Sequence, residues 1–121
     1  MDAYPLASLL DLRAASGGPW LEFARSTDLS AGLYVIEAGG VDGQSPHTED
    51  EVYVILAGRA RFTAGSETRD VVPGDTIFVA AEVPHRFYDI AEELRVIVVF
   101  GPAEDTRATG ATRWEAETVE G

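Results

Sequence analysis

An all-β fold, either a sandwich or a closed barrel, is what this sequence predicts, and three observations predict it. Between Trp20 and Pro102 the chain passes through short stretches rich in β-branched and aromatic residues: WLEFAR, AGLYVIEA, EVYVILA, RARFTA, DTIFVAA, HRFYDI and LRVIVVFG. Turn-forming separators divide them, among them GGVDGQSP, AGSE, VVPGD and AEVP. Seven or eight short strands at this spacing suit a sheet that closes on itself, and no internal repeat or linker interrupts the run.

The flanks differ in character. Residues 5–15, PLASLLDLRAA, set Leu6, Leu9 and Leu10 at helical spacing behind Pro5, a residue suited to a helix start. Ser16-Gly17-Gly18-Pro19 ends that short N-terminal helix. Residues 102–121 are mostly acidic and small and read as an extended or frayed C-terminal tail. Trp114 is the exception there, a large ring expected to pack back onto the barrel or a partner. The expectation is a single domain over residues 1–121, with its barrel core at about 20–101.

Composition excludes several classes of function. The formal net charge is −12, from 21 acids against 9 bases, a balance that repels phosphate backbones and anionic lipid surfaces. Nucleic acid and membrane are therefore poor partners. All nine bases are Arg, so Lys-dependent Schiff-base chemistry has no residue to use. Without Cys there are no disulfides, thiolate nucleophiles or zinc–thiolate sites. No apolar run approaches the ~20 residues of a membrane span. The opening MDAYPLASLL lacks the basic region of a signal peptide, which leaves a cytoplasmic location as the expectation.

The two histidines carry the chemistry. An isolated His is more often a surface or hydrogen-bonded residue than a ligand, but the spacing here reverses that. Five residues separate Gly39 from Ser45, one separates Ser45 from His47, three separate His47 from Glu51, and six separate Glu51 from Gly58. In the second segment five residues separate Gly74 from Ala80, one more precedes Glu82, two precede His85, and three precede Asp89. These patterns, in this order over about residues 30–101, resemble the paired motifs of the cupin superfamily. The resemblance implies a double-stranded β-helix, or jelly-roll barrel, with a metal inside one end.

Carried over residue by residue, the resemblance makes His47, Glu51 and His85 the metal ligands. Two imidazoles and one carboxylate also form, on chemical grounds, a facial set that leaves open positions on a divalent transition metal. Fe is the first expectation for that metal, with Mn, Ni, Zn and Cu as alternatives. The departures are specific. Ser45 stands where the family has its first His, and as a poor ligand it is expected to bind a metal-bound water at most. Gln44 beside it is a weaker candidate for the same role. Asp89 replaces Asn, Ala80 replaces Pro, and Glu82 replaces a Gly that usually serves a tight turn. Glu49 and Asp50 lack ligand spacing and read as a plain acidic bend.

Alternation along the strands sketches the pocket. Glu51 inward implies Tyr53 and Ile55 inward, and His85 inward implies Phe87 and Asp89, with Asp89 a candidate partner for an imidazole N–H. Phe62 is a further neighbour, with Arg59 and Arg61 on the opposite face. The outward Val52, Val54 and Leu56 are also apolar and need a cover. A homodimer is the first expectation for it, the N-terminal helix or the Trp114 tail the alternatives. For function, the metal set and apolar pocket favour an Fe(II)-dependent oxygenase acting on a small molecule. A non-redox isomerase or lyase and a non-catalytic small-molecule-binding module are the alternatives.

Overall fold

The structure, a computed structural model, describes residues 1–43 and 46–106. Helix α1 (Leu6–Ser16) is followed by six strands: β1 (Trp20–Arg25), β2 (Ser30–Ile36), β3 (Asp50–Ala64), β4 (Glu67–Val71), β5 (Thr76–Val79) and β6 (His85–Gly101). All pairings are antiparallel, in the order β1-β2-β6-β3-β4, with β5 added beside β3. The mostly antiparallel architecture with one short helix is the all-β fold expected from the strand pattern, and it accords with the jelly roll that the cupin resemblance implies.

Two strands are longer than the sequence pattern suggests. EVYVILA and RARFTA merge into β3, and HRFYDI and LRVIVVFG merge into β6. Each long strand pairs with more than one neighbour in the one sheet. The first half of β3 pairs with β5 through Glu51–Val54, and its second half pairs with β4 through Ala60–Ala64. The β3–β6 ladder runs from Asp50↔Gly101 to Ala64↔His85, and its register shifts three times between Ile55 and Arg61. Such shifts bend a strand without ending it. Gly58 lies at the bend with φ +97°, and a Cβ there would meet the Glu93 carbonyl oxygen at 2.3 Å. No other residue type fits that backbone.

Strand β4 was not anticipated. Its sequence, ETRDV, is exposed at every position but the last and carries no apolar alternation to reveal it. It is an edge strand whose charges face water.

The core divides in two. The barrel interior holds an aromatic cluster that includes Tyr34, Tyr53, Phe62, Phe87 and Phe100, all at most 3 % exposed. A smaller cluster lies outside, where Leu9 of α1 packs with Leu33 and Val35 and against Leu56 and Ile97. Pro5 precedes the helix rather than opening it, and Gly17 closes it in the left-handed conformation at φ +81°. Of the three leucines set at helical spacing, Leu9 is buried, Leu10 is half-buried and Leu6 is exposed. The helix thus covers the Leu56 end of the outer face. Val52 and Val54 stay half-buried beside Phe78, which is 64 % exposed. Trp114 lies outside the described residues.

Two further expectations are corrected. The stretch after β6 does not begin as a frayed tail: Ala103 and Glu104 are buried, and Arg25 and Ser30 hold Glu104 by its backbone. Glu49 is not part of a solvated bend. It is fully buried, because its carboxylate accepts hydrogen bonds from the Thr48 hydroxyl and, at 3.0 Å, from the Asp105 N–H. Asp50 alone of that pair is exposed.

Candidate metal centre

His47, Glu51 and His85 converge inside one end of the barrel, each at most 6 % exposed. Their donor atoms lie within 4.8 Å of one another. His47 comes from the loop before β3, Glu51 from the inward face of β3, and His85 from the first position of β6. The backbone fixes these origins. The Glu82 N–H donates to the His47 carbonyl at 2.8 Å, and the Ala81 N–H donates to the Asp50 carboxylate at 2.8 Å. Both bonds tie the entry to β3 to the turn before β6. Glu82 holds that turn at φ 65°, so the left-handed conformation usually given to Gly persists with a Glu in its place.

Glu51 Oε1 is the centre of the set, 2.8 Å from His47 Nδ1 and 3.3 Å from His85 Nε2. Such separations are those of adjacent donors on one ion at bonds of about 2.1 Å. His85 Nδ1 lies 2.8 Å from the Val83 carbonyl, which can only accept, so Nδ1 carries a proton. In the neutral ring Nε2 is then left with its lone pair, and the Tyr53 hydroxyl reaches it at 2.8 Å. The other His47 nitrogen, Nε2, faces Glu104 Oε2 at 3.4 Å. Glu51 Oε2 is buried without a hydrogen-bond partner, an arrangement that a cation would relieve. The residues therefore fit a divalent metal, and among the described residues His47, Glu51 and His85 are the group that can hold one.

The electrostatics are those of a cluster that traps positive charge. Burial opposes the Glu51 carboxylate, but hydrogen bonds from His47 and His85 outweigh it and lower its pKa to about 2. Burial likewise opposes the His47 imidazolium, but Glu104 and Glu51 outweigh it and raise its pKa to about 9. His85 is raised too, Glu51 and the Val83 carbonyl overcoming burial. For Glu104 burial prevails over His47 and lifts its pKa to about 7. Full burial next to Glu51 keeps the Tyr53 hydroxyl protonated far above neutrality.

The remaining sequence candidates divide. Tyr53, Phe62 and Phe87 are buried and form one wall, with ring centroids 4.7–5.6 Å apart. Phe62 stands 6.1 Å from the His85 ring, and Phe100 stands 4.9 Å from that of His47. Asp89 is exposed and lies outside the pocket. Its φ of 48° breaks the alternation after Phe87, so Ile90 is the next inward side chain. Ser45 and Gln44 lie outside the described residues. Sequence reasoning missed Glu104, which no motif spacing reaches. It also missed Asp42, a buried acid that accepts from the Tyr34 hydroxyl at 2.6 Å and the Phe87 N–H at 2.9 Å. Asp42 pins the loop after β2 across the barrel end.

Comparison with known proteins agrees with this fold. Residues 32–100 match the family model described as the cupin domain. An uncharacterized protein of Streptomyces coelicolor is 47 % identical over 104 residues, which cover 86 % of this chain and 99 % of that one. Among solved structures, the TT1209 protein of Thermus thermophilus aligns with TM-score 0.69 at 25 % identity, over 85 % of this chain and 99 % of that one. KdgF from a Halomonas species aligns with TM-score 0.62 at 21 % identity, over 72 % and 88 % of the two chains. The DMSP lyase DddQ of Ruegeria pomeroyi aligns with TM-score 0.63 at 23 % identity, over 81 % and 52 %. The last two likenesses concern the fold alone. Among the described residues no helix is long and apolar enough to cross a membrane.

Proposed function

The chain belongs to the cupin family, and from that premise we propose that it is a metal-dependent enzyme acting on a small molecule. One divalent transition metal, Fe(II) by preference, is held by His47, Glu51 and His85 and supplies dioxygen chemistry. The observation that carries this reading is the convergence of two imidazoles and one carboxylate on a single point inside an aromatic wall. Donors gathered on one side leave the metal's other positions to substrate and O₂. The apolar surroundings of Phe62 and Phe87 suit a largely apolar substrate. A recess of about 420 Å³, lined by Phe62, Ala64, Glu67, Arg69, Ile77 and Phe78, approaches the same wall from outside.

Tyr53 supports a second reading, a non-redox isomerase or lyase. Its protonated hydroxyl, 2.8 Å from His85 Nε2, would be a proton donor next to a residue that would hold the metal. Metal analysis of protein purified without added metal, followed by an O₂-uptake screen of the Fe(II) form, separates the two. Substrate-dependent O₂ consumption is expected. Turnover that consumes no O₂ and proceeds equally with Zn(II) would overturn the oxygenase reading.

We also propose that the chain pairs with a second copy through the part of the outer face that α1 leaves open. Val52, Val54 and the exposed Phe78 form that patch. Light scattering is expected to give the dimer mass, and Phe78→Arg the monomer mass. A monomer mass for the wild-type chain at all concentrations would refute the pairing.

A further inference from the structure

We infer that Glu104 is the residue that positions His47 for metal binding, a carboxylate brought from outside the family's motifs to grip the imidazole nitrogen facing away from the metal. The inference rests on the metal reading above. Each imidazole presents one nitrogen to Glu51 Oε1 and turns the other away. For His85 the nitrogen turned away is Nδ1, which donates to the Val83 carbonyl at 2.8 Å. For His47 it is Nε2, and what it meets at 3.4 Å is Glu104 Oε2.

A ligating His commonly gives its other N–H to a carboxylate or carbonyl, which fixes the tautomer and raises the basicity of the ligating nitrogen. The two rings thus share one plan, with different acceptors. A backbone carbonyl comes free with the chain next to His85, whereas His47 needs one delivered.

The delivery is built. Glu104 is 4 % exposed, so its side chain is committed to the interior. Its N–H donates to Ser30 Oγ at 2.8 Å, and its carbonyl accepts from Arg25 Nη2 at 2.5 Å. One residue on, the Asp105 N–H donates to buried Glu49 at 3.0 Å. Three anchors, on β1, on β2 and on the loop before β3, hold the five residues after β6 against the barrel mouth. Among the described residues the side chain they aim at His47 Nε2 is that of Glu104. Buried Glu49, next but one to His47 in sequence, thereby has a role as the clamp on this segment.

The test uses the full chain loaded with Zn(II), with chelator competition for affinity and long-range ¹H–¹⁵N spectra for the imidazole protons. The sequence has two histidines, so the ring signals are few. In the wild-type Zn(II) form the His47 proton is expected on Nε2. Glu104→Leu is expected to lower Zn(II) affinity by about 10- to 100-fold and to lose that fixed tautomer. Glu104→Gln keeps an acceptor oxygen and should retain most of both. A His47 proton on Nδ1 would overturn the inference, because Nε2 would then be the ligand and Glu104 a neighbour of the ion itself. Unchanged affinity and tautomer in Glu104→Leu would overturn it while leaving the metal reading intact. A wild-type chain that binds no Zn(II) defeats both. Should the Leu variant not fold, the wild-type tautomer decides alone.

Discussion

Replacing His47, Glu51 or His85 by Ala is expected to strip most of the bound divalent metal while the barrel remains folded. Each residue supplies one of three strong protein donors. A third of a binding free energy of roughly 10 kcal/mol is about 3 kcal/mol, or two orders of magnitude in affinity. The fold should survive, because the aromatic interior of Tyr53, Phe62, Phe87 and Phe100 is buried whether or not an ion is present. The three variants should still differ in stability. His47→Ala leaves Glu51 and Glu104 buried without the imidazolium between them, and an uncompensated buried charge is costly. Glu51→Ala leaves imidazoles that can become neutral, so it should cost the metal-free barrel less. Elemental analysis beside melting curves reads both quantities. Full metal occupancy in His85→Ala would refute the site, and collapse of all three variants would make the metal structural.

The second large effect is a loss of stability with rising pH that bound metal offsets. In the metal-free protein the His47 pKa is about 9 against an ordinary 6.5. The stability this gives is complete below pH 6.5 and is lost as pH rises through 9. Glu104, raised from 4.5 to about 7, acts in the same sense: its contribution is complete below pH 4.5 and lost toward 7. Glu51, lowered to about 2, contributes above pH 4.5 and loses that contribution as pH falls through 2. The metal-free barrel should therefore be most stable in mildly acidic buffer and soften steadily from neutrality to pH 9. Metal binding must expel the His47 proton, so affinity should climb about tenfold per pH unit for each proton released until that pKa is passed. Between pH 6.5 and 9 the stripped protein should melt at falling temperatures while metal adds an increasing increment. Melting curves over that range, with and without chelator, test it. Parallel decline of both would mean that His47 is not a ligand.

The convergence of His47, Glu51 and His85 was legible through the resemblance of the two motifs to those of the cupins, and only its His47–Glu51 half is local in sequence. Glu51 follows His47 by four residues and faces inward by strand alternation, as Tyr53 and Ile55 do after it. The same rule failed at Asp89, where a positive φ breaks the alternation it depends on. It also hid the continuity of β3 and β6, since the bend at Gly58 looks like a strand end when only residue types are read. Strand β4 carries no apolar alternation, its first four residues being polar and exposed. Glu49 and Glu104 escaped for a different reason. Their burial depends on contacts spanning 56 residues between Glu49 and Asp105 and 74 between Ser30 and Glu104. No local spacing encodes those.

The β3–β6 ladder sets one more property of the centre. Glu51 pairs with Phe100 at one end of that ladder, while His85 pairs with Ala64 at the other. In a flat sheet the two side chains would lie the length of the ladder apart, and they meet only because both strands curl until the ends of the register come together. An ion bound there is a tie across the curl. By reciprocity, if a bound ion favours closure by some factor, closure favours the ion by the same factor, so a change that opens the ring lowers the ion's apparent affinity by the fraction of closed barrel lost. Chelator competition on this protein is therefore also a gauge of how tightly the barrel is shut.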